Sequence, residues 1–85
     1  MNILNPFKIN NITLPNRISV ASMCQYSADK GNPSKWHYSH LQRLAISGAG
    51  MLMLESTAVS LNGRITLRDL VLANRKNVIS FKKII

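Results

Sequence analysis

The stretch ASMCQY, residues 21–26, follows a short apolar run, ISVA at residues 18–21, and holds the only cysteine of the 85-residue chain beside a tyrosine. Large apolar and small side chains alternate in that run, as is typical of a β-strand. A strand that ends in small and sulfur-bearing residues followed by a tyrosine suits a ligand site at the carboxyl edge of a parallel sheet. The stretch therefore predicts a first strand with a binding site for a flat ligand at its carboxyl end.

The residues that follow predict a βαβ unit. Turn-forming residues fill positions 27–33, and Ser34 is suited to cap a helix whose apolar side chains recur at helical spacing. Gly48 is suited to end that helix at the C′ position. The uninterrupted apolar run Met51–Leu54 is typical of a strand buried on both faces of a parallel sheet. About thirty residues separate the two strand starts, a normal span for a βαβ unit.

The two ends of the chain carry further patterns. Residues 1–16 place apolar side chains about two apart between prolines, which predicts a short hairpin or an extended cap. Residues 58–72 are expected to form a long connection with a turn at Asn62-Gly63. Residues 74–85 are expected to form a second helix. The apolar side chains on one face of that helix are Val78, Phe81 and Ile85.

The composition favours a packed protein of the cytoplasm. Hydrophobic residues make up 46% of the chain and the mean hydropathy is +0.02, which argues against intrinsic disorder. A single cysteine forms no internal disulfide, so no oxidising compartment is indicated. No apolar segment has the pattern of a signal peptide or the length to span a bilayer.

The net charge of +8 raises nucleic acid or an anionic membrane as partners. However, the basic residues are scattered from Lys8 to Lys83, and only Arg75-Lys76 and Lys82-Lys83 are adjacent pairs. A part of a larger, charge-balanced protein would show the same excess. We therefore expect neither membrane nor nucleic-acid binding.

Seven segments together match one known family. They are Asn5 to Ile9, Thr13 to Ile18, Met23 to Ser27, Trp36 to Leu41, Ser47 to Gly50, Glu55 to Val59 and Asn62 to Ile65. In these segments the chain resembles the Old Yellow Enzyme family, the FMN-dependent NAD(P)H:flavin oxidoreductases and ene-reductases, and most closely its branch with a cysteine at position 24. One departure is Ser22, where the family usually has a proline, which fixes the backbone as serine does not.

The resemblance implies an α/β fold that is the amino-terminal portion of a TIM (β/α)8 barrel, with a cap and about two βα units. A closed barrel of this type needs roughly 250 residues. Residues 1–85 are therefore expected to be a partial FMN-binding barrel domain, truncated at the carboxyl end. The missing sheet would have to come from a partner, either a complementary fragment or further copies of the chain.

The resemblance also implies roles for individual residues. Cys24 would lie at the edge of the flavin and tune its reduction potential, and Tyr26 would hold or polarise the carbonyl group of the substrate. The residues implied in FMN binding are Ala21, Ser22, Met23, Cys24 and Ser56. Without the resemblance, a lone cysteine is more often an inert buried residue and a tyrosine an aromatic packing residue with a hydrated hydroxyl.

Three other polar residues have structural or open interpretations. Glu55 is an acid in apolar surroundings, so it is expected to need a cationic partner, with Arg17 and Arg64 as candidates. His37 and His40 are three apart on one helical face, but no cysteine or nearby carboxylate completes a ligand set. We therefore expect no metal site.

The implied activity is hydride transfer from NAD(P)H to FMN, followed by reduction of an activated, α,β-unsaturated alkene of the enone type. The chain lacks the later strands that carry the substrate-binding histidines of the family and the loops that usually hold a phosphate. It is therefore expected to be inactive alone. Two alternatives stay open at this point: a small basic interaction module without catalysis, and a barrel assembled from fragments or copies.

Overall fold

The computed structural model describes residues 2–85, and its first element is a hairpin. Strand β1 (Phe7–Ile9) pairs antiparallel with β2 (Ile12–Leu14). Asn10, at the turn, has a left-handed backbone with φ of 50°, a conformation that asparagine tolerates better than most residues. The hairpin predicted for residues 1–16 is confirmed, except that residue 1 lies outside the described part of the chain.

Asn16 and Arg17, which follow β2, attach the hairpin to the rest of the chain. The Arg17 guanidinium lies 4.9 Å from the centre of the Phe7 ring and donates a hydrogen bond to the Pro6 carbonyl at 3.3 Å. The Asn16 side chain donates a hydrogen bond to the Gly48 carbonyl at 2.7 Å. The hairpin is thus held at the end where the following strands begin.

The βαβ unit forms as predicted. Strand β3 (Ser19–Val20) and strand β4 (Met51–Leu52) are parallel, with Ser19 opposite Met51 and Val20 opposite Leu52. Helix α1 (Lys35–Ala45) connects them. Beyond the short strands the Met53 N–H still donates to the Val20 carbonyl at 3.0 Å, so the pairing runs on toward the carboxyl ends.

The ends of α1 agree closely with the sequence. Ser34 is the N-cap, as predicted, with an extended backbone. The C-cap is Ile46, so Gly48 lies one position beyond the C′ position predicted for it. Its φ of 95° is a conformation that favours glycine, and it turns the chain toward β4.

The long connection predicted for residues 58–72 has at its two ends short strands that the sequence did not predict. Strand β5 (Thr57–Ala58) pairs in parallel with β6 (Leu70–Val71). A single turn of 3-10 helix at Leu61–Gly63 lies between them, at the predicted turn. Each strand is only two residues long, which is too short for an apolar alternation to show in the sequence.

The buried core lies where the loop after β3 meets β6 and helix α2 (Arg75–Lys82). The Val71 N–H donates to the Gly31 carbonyl at 2.8 Å, which brings the loop against β6. Leu54 and Ile84 pack at the edge of this cluster. The buried apolar residues are Ala28, Leu70, Val71 and Phe81.

The predicted face of α2 exists, but it is mostly not buried. Val78, Phe81 and Ile85 line one open groove together, and of the three only Phe81 is buried. The residue buried in addition is Asn77, whose side-chain amide donates to Asn32 Oδ1 at 2.7 Å. That hydrogen bond fixes the rotation of the helix, and apolar periodicity cannot reveal it.

Two open apolar grooves meet beside the end of α2, with volumes of about 470 and 530 Å³. Leu54 and Ile85 line both of them. The first groove lies against α1 and is also lined by Tyr38 and Leu41, whereas the second is also lined by Phe81. Much of the apolar surface of the chain is therefore exposed, as expected of a part of a larger fold.

Replacing Gly31 with alanine is expected to destabilise the fold strongly. Gly31 has φ of 85°, and an added Cβ would lie 2.9 Å from the Cβ of buried Val71. Left-handed strain of about 1–2 kcal/mol and overpacking of about 1–3 kcal/mol should together lower the free energy of unfolding by about 3 kcal/mol.

Gly48→Ala is the matched control, because Gly48 has φ of 95° but no atom within 4 Å of an added Cβ. It should lose only about 1–2 kcal/mol, from strain alone. Urea unfolding of the two variants measures both losses. Equal losses would contradict the close approach of Gly31 to Val71.

Candidate functional site

The carboxyl ends of β3 and β4 lie side by side and form the candidate site. The Ser22 hydroxyl donates a hydrogen bond to the Leu54 carbonyl at 2.7 Å, directly across the two chain segments. Three residues further, the Gln25 N–H donates to Glu55 Oε2 at 3.4 Å. Ser56 follows immediately, so the structure brings the two predicted parts of the site to the same edge.

The residues predicted to bind a flat ligand are accessible there. Cys24 is half-buried, and its thiol is free rather than part of a disulfide. The others are exposed to solvent: Ala21, Ser22, Met23 and Ser56. Except for Met23, these side chains are small, so they leave the backbone accessible to the ring of a flat ligand.

Tyr26 is presented to solvent by an unusual backbone conformation. Its side chain is 55% exposed, and its φ is 52°, in the left-handed region that bulky residues rarely adopt. Such a conformation costs on the order of 1–3 kcal/mol and persists where neighbouring contacts hold it. The strained residue is the one that the family resemblance would place at the substrate.

A buried acid–histidine pair lies beneath this segment and corrects one prediction. Glu55 does not pair with an arginine: its Oε1 lies 3.0 Å from His37 Nε2, and both side chains are buried. His37 Nε2 forms no hydrogen bond within residues 2–85, so the contact with Glu55 is a close polar one. Arg64 instead donates to backbone carbonyls of its own loop, and Arg17 to that of Pro6.

The two histidines of α1 have separate environments. His37 Nδ1 accepts a hydrogen bond from the Ser34 N–H at 3.0 Å, which closes the first turn of the helix. His40 stacks on Trp36, with ring centres 5.9 Å apart and an interplanar angle of 11°. Within residues 2–85 no three side chains of the ligand types His, Cys, Asp and Glu gather around a possible metal position.

Gln25 and Trp36 are residues of the site that the sequence did not indicate. The Trp36 indole N–H donates to Gln25 Oε1 at 2.9 Å, and Gln25 Nε2 donates to the Met23 carbonyl at 2.8 Å. A polar residue within a motif and a tryptophan eleven positions later carry no recognisable signal of contact. The pairing follows only from how α1 returns across the strands.

The chain matches a known family over nearly its whole length. The sequence profile of the NADH:flavin oxidoreductase / NADH oxidase family, whose members are FMN oxidoreductases, matches residues 2–85. The chain belongs to this family. The resemblance to Old Yellow Enzyme is therefore confirmed.

Curated members of the family are similar in sequence. An NADH:flavin oxidoreductase of Gibberella zeae is 39% identical over 82 residues, covering 96% of this chain and 20% of the relative. An NADPH dehydrogenase of Bacillus cytotoxicus is 37% identical over 83 residues, covering 95% and 24%. One of Listeria monocytogenes is 36% identical over 85 residues, covering 98% and 25%. The chain thus spans a fifth to a quarter of the length of these relatives.

The fold has a close match among solved structures. Morphinone reductase superposes with a TM-score of 0.86 at 18% identity, over 96% of this chain and 21% of that protein. Morphinone reductase in complex with tetrahydroNAD gives a TM-score of 0.80 at 19% identity, over 99% and 23%. The fold predicted from the sequence is confirmed: a cap and about two βα units of a (β/α)8 barrel.

As to membranes, α1 and α2 are both too short and too polar for either to cross one.

Replacing Ser22 with alanine should weaken the link between the two strand ends. The variant loses the hydrogen bond to the Leu54 carbonyl, so we expect the free energy of unfolding to fall by about 1 kcal/mol. Ser56→Ala is the control, because the Ser56 hydroxyl is exposed and forms no hydrogen bond within residues 2–85. Urea unfolding should leave Ser56→Ala within about 0.5 kcal/mol of the parent; an equal loss in both variants would show that the Ser22 bond contributes nothing.

Proposed function

We propose that the protein carrying this chain is an FMN-dependent oxidoreductase that takes hydride from NAD(P)H and reduces activated, α,β-unsaturated alkenes. The observation that carries the proposal is the family match over residues 2–85. The side-by-side carboxyl ends of β3 and β4 support it, because ligands of parallel barrels bind at that edge.

The residues at this edge fit FMN. Ala21, Ser22, Met23 and Ser56 are exposed, and small side chains let a flat ring system approach the backbone. We assign these four residues to FMN binding, mainly through backbone groups. When bound, FMN supplies the hydride chemistry, while the protein supplies position and electrostatics.

Cys24 and Tyr26 are assigned the two roles nearest the reaction. The half-buried, free thiol of Cys24 would contact the edge of the flavin ring and shift its reduction potential. The phenol of Tyr26, exposed at the same edge, would donate a hydrogen bond to the carbonyl oxygen of the substrate. A polarised carbonyl makes the conjugated alkene a better hydride acceptor.

We further propose that residues 1–85 act as one part of a single FMN-binding barrel domain and do not sustain turnover alone. The two apolar grooves beside α2 are open, and within residues 2–85 only four apolar residues are buried. Relatives of this family are four to five times longer, since the chain covers 20% to 25% of them. Additional strands and helices would cover those grooves and complete the edge of the site.

The cofactor assignment is tested by measuring FMN binding and potential. The protein carrying this chain should quench FMN fluorescence on binding, whereas residues 1–85 alone should neither retain FMN nor oxidise NADPH. Cys24→Ala should keep FMN but change the relative affinity for its oxidised and reduced forms about tenfold, which is a shift of about 30 mV for a two-electron couple. An unchanged potential would remove Cys24 from the flavin contact.

The substrate assignment is tested with a pair of tyrosine variants. Tyr26→Phe should lower kcat/KM for an enone about 5- to 10-fold through loss of one hydrogen bond, with flavin reduction by NADPH unchanged. Tyr38→Phe is the matched control, since Tyr38 is similarly exposed, at 52% against 55%, but lines the first apolar groove. Equal effects in the two variants, or slower flavin reduction in Tyr26→Phe, would contradict the role of Tyr26.

A further inference from the structure

Gln25 is the residue through which the site segment is attached to its surroundings. Its backbone N–H donates to Glu55 Oε2 at 3.4 Å, and its side chain accepts from the Trp36 indole at 2.9 Å. Its side-chain amide also donates to the Met23 carbonyl at 2.8 Å, and its own carbonyl accepts from the Ser27 hydroxyl at 2.9 Å. The side chain of Gln25 thus binds Met23, which precedes Cys24, and its main chain binds Ser27, which follows Tyr26.

The partners of Gln25 are themselves fixed. Glu55 is buried after β4 and lies 3.0 Å from buried His37, whose other ring nitrogen accepts from the Ser34 N–H. Trp36 belongs to the first turn of α1 and stacks on His40. Gln25 is therefore held between the end of β4 and the start of α1.

This attachment explains how Tyr26 keeps its strained backbone. A bulky residue at φ of 52° relaxes unless the residues before and after it are held. Gln25 precedes it with its contacts to Glu55 and Trp36, and Ser27 follows it with a hydrogen bond back to Gln25.

We propose that Gln25 is a positioning residue, held by Trp36 and Glu55, which sets the positions of the Cys24 thiol and the Tyr26 phenol at the site edge. The consequence for the flavin rests on the proposed function. The positioning itself is a property of the polypeptide and is measurable without FMN.

The test uses variants at exposed or half-exposed positions, because replacing buried Glu55 or His37 would disturb the core. Gln25→Met has a similar length but loses both side-chain hydrogen bonds. Trp36→Phe removes the indole donor and keeps a smaller aromatic ring beside His40. Gln42→Met, at an exposed glutamine of α1, is the matched control.

The first readout is the rate at which iodoacetamide alkylates Cys24 in the native protein that carries this chain, without FMN. We expect alkylation to be about tenfold faster in Gln25→Met and about threefold faster in Trp36→Phe, from loss of two and one hydrogen bonds. Gln42→Met should alkylate at the parent rate. For each variant, the alkylation rate should depend little on urea at low concentration, because local loosening exposes far less surface than global unfolding.

The double variant tests the coupling between the two residues. Because Gln25→Met already removes the bond to Trp36, adding Trp36→Phe should raise the alkylation rate no further. Independent effects, in which the two factors multiply, would overturn the attachment. Alkylation at the parent rate in Gln25→Met, or a steep dependence on low urea, would overturn positioning by Gln25.

The second readout is the reduction potential of bound FMN. Gln25→Met should retain FMN and shift the potential in the same direction as Cys24→Ala. If the parent protein does not bind FMN, the proposed function fails. The alkylation rates then still show whether Gln25 positions Cys24 and Tyr26. If FMN binds and neither alkylation nor potential changes in Gln25→Met, the positioning fails and the proposed function stands.

Discussion

Parallel pairing of β3 with β4 is the constraint on which the other elements depend. Parallel strands cannot be joined by a tight turn, so a crossover of a dozen or more residues must intervene, and α1 provides it. The pairing leaves the two carboxyl ends at one edge, where Ser22 bonds to Leu54 and Gln25 meets Glu55. Residues some thirty positions apart in the chain become neighbours as a result of this single topology.

Buried polar groups hold this small structure in one arrangement. In the described part of the chain four polar or charged residues are buried, as many as the buried apolar ones: His37, Glu55, Asp69 and Asn77. Apolar contacts are non-directional, whereas a buried polar group is stabilised only by a nearby polar partner. The contacts His37–Glu55 and Asn77–Asn32 join helices to loops that would otherwise slide over one another.

Patterns of apolar residues predicted the elements, and polar partners escaped prediction. The run Met51–Leu54 and the cap at Ser34 each reflect local physics, which the sequence displays directly. The place of the site followed from topology, since carboxyl ends of parallel strands meet. The partner of Glu55 did not follow, because charge alone favoured an arginine, while the crossover helix delivered His37 instead. Strand β6 was also not predicted, because its own sequence shows no strand pattern. It is a strand because a distant loop and a helix bury it.

The open grooves beside α2 and the net charge of +8 have opposite effects on the association of two molecules. Apolar walls attract the walls of a second molecule at contact, whereas like charges repel over about 8–10 Å at ordinary ionic strength. Added salt shortens the repulsion and leaves the apolar attraction in place. In a preparation of residues 1–85 alone, the scattered lysines and arginines would therefore act as a colloidal barrier, which keeps the molecules dispersed at low salt concentration and fails at high salt concentration.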